Sequence, residues 1–245
     1  MTDLENLVPS PEPAEATIIT ALEVGLDAIP VIGPMATRVI DHALSVRADE
    51  RRHDFDMAVI AELRRLAESV DNTLTVAKVL SSDDFAATLA RTQRLAAETA
   101  SETKRERLAR ATVSTLSSSA VSRVERAQFL RYIEEFEDLH VWLLGYFASP
   151  RAWLDAHSMS DVYTGPTGGT VLDPFARIFG APEADWITPV ETAIATLDGY
   201  GLVSVPRQHM TGSGMVETRT SDRGRRFLDH LHEDAPAGSE PPTEL

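Results

Sequence analysis

With no cysteine in the chain, its chemistry rests on histidines, carboxylates, hydroxyls and arginines. Disulfides, thiolate metal sites and cysteine nucleophiles are excluded outright. His230 and His232 in "DHLHED" have the composition of a metal site. Residues two apart on a helix point to different faces, so these two do not converge. Asp49 and His53 in "ADERRHD" share a helix face, but two groups are too few for a structural metal site. His140 lies within an apolar stripe and reads as a core histidine with its hydrogen bonds met. "GPTGG" lacks the lysine and preceding strand of a phosphate-binding loop, and "GSG" at 212–214 is not a strand-to-helix nucleophile elbow. What remains is binding chemistry. Arg207, His209, Arg219 and Arg223 cluster around a glycine-containing stretch and could contact phosphates. Neither a catalytic constellation, a metal site nor a cofactor is expected.

The elements that would position these residues follow from periodicity. Apolar residues recur at helical spacing from about residue 16 to residue 150. Pro30, Gly33 and Pro34 interrupt the first run. A second runs from 35 to about 70, and its charged middle, "SVRADERRHDFD", is expected to be solvated or broken. Ser82 and Ser101 are the expected caps of the next two helices. The strongest pattern is "ERAQFLRYIEEFEDLHVWLLGYFA", with Phe129, Ile133, Phe136, His140 and Phe147 on one stripe. Its bulk exceeds what one small bundle needs. Phe129, Tyr132, Phe136, Trp142 and Tyr146 are therefore candidate interface residues, toward a second copy in a two-fold dimer or toward the winged helix. Residues 151–170 read as a linker with a short helix at 151–157. A short helix stopped by Gly180 follows, then one capped by Thr188, with Pro189 at its first helical position and Gly199 and Gly201 at its end. Residues 215–220 read as a strand pairing with one that begins at Leu202 and Val203, and Ser221 or Asp222 as the cap of a last helix.

"AIATLDGYGLVSV" and "ETRTSDRGRRFLDHL" resemble the second half of bacterial winged-helix domains found in many transcription regulators. The residues carrying the likeness are Leu197, Gly201, Leu202 and Val203, then Thr220, Gly224 and Phe227. The resemblance covers about residues 171–232 and implies a two-stranded wing beside a helix that enters the DNA major groove. The layout as a whole resembles uncharacterised bacterial helical proteins and implies no activity. The expected architecture is mostly α: a helical bundle over 16–150 and a winged helix over 171–232. Tails at 1–15 and 233–245, acidic and poor in apolar residues, are expected to be disordered.

Charge bears on partners. The 245 residues carry a formal net charge of -15. Each tail holds four carboxylates and no Lys or Arg, which leaves -7 across residues 16–232. The presumed reading helix, "TPVETAIATLDGYG", has Glu191 and Asp198 and no cation, although DNA affinity rests on cations at phosphates. Lys104, Arg105, Arg107 and Arg110 alternate with Glu102 and Glu106 and read as a mixed, solvated helix face. These features favour a non-enzymatic cytoplasmic protein engaged in protein interaction or assembly, with a DNA-binding transcription regulator as the alternative. The N-terminus shows no secretion-signal pattern. Between Asp27 and Arg38 run only ten uncharged residues, far short of the roughly 20 of a spanning helix. A membrane-acting segment like that of some bacterial defence effectors is the further alternative.

Overall fold

The structure is a computed structural model that describes residues 34–69, 79, 81–116, 121–163, 169–180, 185–205 and 212–231. The chain divides into two compact units, residues 1–134 and 135–245. The division falls inside the stretch expected as one long helix, upstream of the expected linker at 151–170. Both acidic tails, the apolar run at 28–33 and residues 164–168 and 206–211 lie outside the described residues.

In the first unit, α1 (Pro34–Ser69) packs against α2 (Asp83–Glu98) and α3 (Glu102–Ser114), which pack on each other. The fourth helix is α4 (Arg123–Glu135). The charged middle of α1 does not break the helix. Ser45, Arg47, Asp49, Glu50, Arg52 and Asp54 face outward, while Val46 and Phe55 are buried on the other side. The Asp49–Arg52 ion pair, 2.6 Å apart at (i, i+3), fits that outward face. Ser82 and Ser101 cap α2 and α3: their hydroxyls accept from the Phe85 and Lys104 N–H groups at 3.2 and 3.0 Å. Thr92 of α2 and Thr112 of α3 meet across the buried interface with hydroxyl oxygens 2.8 Å apart. Each also reaches a helix carbonyl, Thr88 O and Leu108 O respectively, so both polar groups are satisfied inside the core.

The basic run on α3 corrects the expectation of a solvated face: Lys104, Arg105 and Arg107 are buried. For Arg105 the cause is a helix end. Its Nη1 donates to the Thr99 and Ala100 carbonyls at 3.3 and 3.1 Å, just past the last turn of α2, and Arg51 Nη1 reaches Ala97 O at 2.9 Å. Arg51 thus meets one of the carbonyls that the C-terminus of α2 leaves without an intrahelical partner, and Arg105 meets those of the turn that follows.

The second unit is built around α5 (Asp138–Ala148), packed by α6 (Pro150–Ala156), α8 (Ile187–Gly199) and α10 (Asp222–Leu231), with α7 (Asp173–Phe179) and the single turn α9 (Gly212–Met215) completing it. Residues 141–147 are buried without exception, so α5 is a central helix rather than an amphipathic one.

The single helix expected over 125–148 is two helices. Phe136 and Glu137 leave the helix, and Glu137 adopts an extended backbone (φ -87°, ψ 170°). Glu134, Glu135, Glu137 and Asp138 crowd this point. Carboxylates are unfavourable at the C-terminal end of α4 and favourable in the first turn of α5, so the break suits the helix dipoles. His140 completes it by accepting the Glu137 N–H at Nδ1, 3.2 Å away, with its ring stacked on Phe136 at a centroid distance of 5.2 Å.

Candidate functional site

The region that sequence assigns to binding is the sequence of elements α8, turn, short pairing, α10. Helix α8 begins at Ile187, so Thr188 falls in its first turn rather than at its cap, and Pro189 is its third residue rather than its first. It ends in a glycine cap. Gly201 has φ +67°, its N–H bonds Asp198 O at 2.8 Å, and the Leu202 N–H bonds Leu197 O at 3.0 Å. This double closure requires a residue in the left-handed region, which glycine adopts without strain, and it brings the buried Leu197 and Leu202 together.

Beyond the cap, Val203 forms an antiparallel bridge with Thr220. Ser204 N–H donates to Arg219 O at 2.9 Å and Ser221 N–H donates to Leu202 O at 2.8 Å. Among the described residues the pairing stops there. Residues 215–220, expected as a strand, start with the last residue of the α9 turn and a bend. The local reason lies at the end of α5. Phe147 O accepts the Arg219 and Thr220 N–H groups at 2.8 and 3.2 Å; Thr218 Oγ1 donates to Ala148 O at 3.0 Å and Thr220 Oγ1 to Leu144 O at 2.9 Å. Residues 218–220 thus satisfy the terminal carbonyls of the central helix, which fixes them there rather than in a longer ladder. Ser221 caps α10 through the Gly224 N–H at 3.1 Å.

The candidate phosphate contacts divide. Arg207 and His209 lie outside the described residues. Arg219 is half-buried, with its Nη2 on the Gly214 carbonyl. Arg223 is exposed on α10. The outward positions of α8 are Thr188, Glu191, Thr192 and Ala195, with Asp198 half-exposed near its end, and the helix carries no cation. His230 is buried on α10, and His232 lies outside the described residues.

All five candidate interface aromatics are buried within the chain. Phe129 and Tyr132, with ring centroids 6.2 Å apart, belong to the first unit. In the second, Phe136 meets Tyr200 and Phe227 edge-on at 5.6 and 6.0 Å. Trp142 and Tyr146 join Trp153 and Phe175 in a cluster of edge contacts between 5.1 and 5.7 Å.

A polar link within the expected linker escaped the sequence reading. Tyr163 is buried and its hydroxyl donates to Thr170 O at 3.1 Å. Asp173 holds Thr170 through its N–H at 2.9 Å and its hydroxyl at 2.5 Å. The Tyr146 hydroxyl bonds that of Tyr163, and burial pushes both phenols well above their ordinary range. The only local signal was Asp173 at the start of a helix, which is too common to single out.

No protein-family model, no curated protein and no solved structure matches this chain.

Proposed function

We propose that this is a non-enzymatic cytoplasmic protein whose helical bundle and C-terminal unit, organised as a winged helix, serve protein interaction or assembly. The single observation that carries the reading is the outward face of α8. In a DNA-reading winged helix that face meets phosphates and bases, and each phosphate contact needs a cation or a neutral donor. Here it offers Thr188, Thr192, Ala195 and the carboxylate of Glu191, with no Lys or Arg. Two threonine hydroxyls cannot offset the repulsion of a carboxylate at a polyanion, whereas such a mixed small and acidic surface suits a protein partner. The order helix, glycine cap, paired residues, helix supports the winged-helix organisation; the length of the wing and the roles of Arg207 and His209 belong to the same proposal.

The alternative, a DNA-binding regulator, draws on the exposed Arg223 of α10 and on the wing arginines. Binding of duplex DNA at low salt, followed by a salt titration, separates the two. The interaction reading expects weak binding that changes little with sequence, and sedimentation that reveals self-association or a defined complex. Tight binding with a steep salt dependence, lost in the Arg207→Ala, Arg219→Ala, Arg223→Ala variant, would overturn it. Among the described residues no helix is long and apolar enough to cross a membrane.

A further inference from the structure

A cavity of about 320 Å³ opens in the first unit between α2, α3 and α4. That volume is at the low end of the roughly 300–1,000 Å³ typical of small-molecule sites. Its walls have a regular construction. From α2 come Asp84, Ala87, Thr88 and Arg91; from α4 come Arg123, Arg126, Ala127 and Leu130. The two sets share the same spacing, i, i+3, i+4 and i+7, which is one face of a helix in each case. The two faces are joined by ion pairs at both ends. Arg123 Nη2 lies 2.7 Å from Asp84 Oδ1 at one end. At the other, Arg91 grips Glu134 with two bonds of 2.6 Å each. Between these struts the side chains are small: Ala87 and Ala127 face the gap and Ala111 of α3 lines it. Ala87 and Ala127 are exposed at the rim, where methyl groups leave the mouth of the gap open to solvent.

The lining carries more cations than carboxylates, although the chain as a whole is acidic. Three arginines meet two carboxylate partners, Asp84 and Glu134, so one cation is left over in a chain of net charge -15. The surplus belongs to Arg126. Its Nη1 donates to Val121 O at 2.9 Å, and among the described residues it has no carboxylate partner. The geometry points to a binding site for a small monocarboxylate with a short apolar body, its carboxylate on Arg126 and its body against Ala87, Ala111, Ala127 and Leu130. A guanidinium matches a carboxylate with two parallel N–H bonds, and a single uncompensated charge suits a monoanion better than a dianion such as phosphate.

The test is an NMR titration of the full-length chain with hexanoate, with hexanol, hexylammonium and inorganic phosphate as comparison probes. Hexanoate is expected to shift the methyl resonances of Ala87, Ala111, Ala127 and Leu130 saturably, with a Kd on the order of a millimolar. Hexanol should bind at least about tenfold more weakly, and Arg126→Gln should cost hexanoate a similar factor. Ala127→Phe, at an exposed position, should fill the gap and abolish binding with the circular dichroism unchanged, which keeps the idea testable if Arg126→Gln fails to fold. No saturable shift with hexanoate, equal binding of hexanol or hexylammonium, tighter binding of phosphate, or full affinity in Arg126→Gln or Ala127→Phe would each overturn the assignment.

Discussion

Gly224 is the position where two principles give opposite answers, so Gly224→Ala tests the packing of the second unit. It lies in the first turn of α10, where alanine is favoured over glycine by about 1 kcal/mol. Propensity alone therefore expects the variant to be more stable. The structure expects the reverse. A Cβ at this position would lie 2.4 Å from Leu202 O, 2.7 Å from Thr220 Cγ2 and 3.2 Å from Leu144 Cδ1. The nearest atom is a backbone carbonyl held by the Ser221 N–H at 2.8 Å, so it cannot retreat as the end of a flexible side chain would. Inserting a methyl group into a tight core costs roughly 1–3 kcal/mol, and a clash with fixed backbone belongs at the upper end. Subtracting the propensity gain leaves a net loss of about 2 kcal/mol. With a urea dependence of about 1–3 kcal/mol per molar, the midpoint should fall by about 1 M. Tryptophan fluorescence is the suitable probe, because all three tryptophans, Trp142, Trp153 and Trp186, belong to the second unit. An unchanged or raised midpoint would refute the close approach of α10 to Leu202.

In the first unit, Thr92→Val and Thr112→Val should each destabilise by about 1 kcal/mol, and the double variant should fall short of the sum. Urea unfolding by circular dichroism reads this, and strict additivity would mean that the two hydroxyls do not interact. His140→Ala removes the acceptor for the Glu137 N–H and the stack on Phe136. A loss of about 1 kcal/mol by tryptophan fluorescence is expected, and no loss would show that the cap carries no weight. The Tyr146 and Tyr163 phenols have their folded-state pKa raised by burial, so the stability they contribute is present below about pH 10, their unfolded value, and is lost as pH rises above it. A spectroscopic alkaline titration should show no tyrosinate from either before unfolding. The Tyr146→Phe, Tyr163→Phe variant should therefore match the wild type in amplitude up to that transition, and a smaller amplitude would contradict the burial of these hydroxyls.

Local rules were enough for the helical class, for the Ser82 and Ser101 caps and for the glycine end of α8, and they narrowed the cap of α10 to Ser221 or Asp222. Each depends on a few neighbouring residues, such as a side-chain oxygen three residues before an N–H or a glycine able to take positive φ. Apolar periodicity located the aromatic bulk of residues 129–147 but not its partner. A stripe shows that a face is buried, and only the fold shows whether another chain or the same one covers it. The break at Phe136–Glu137 was hidden because both flanking helices bury apolar residues and the period continues across the junction. The fate of charged groups was decided by tertiary structure alone. Arg105 looked solvated because its sequence neighbours are acidic, yet the turn just past α2 brings carbonyls to it and makes burial favourable. The same holds for residues 218–220, whose composition suits a strand but which, among the described residues, pair only with residues 203–204 and send their N–H and hydroxyl hydrogen bonds to the end of α5. A helix terminus offers partners to whatever segment the fold brings against it, and no local pattern in that segment records the meeting.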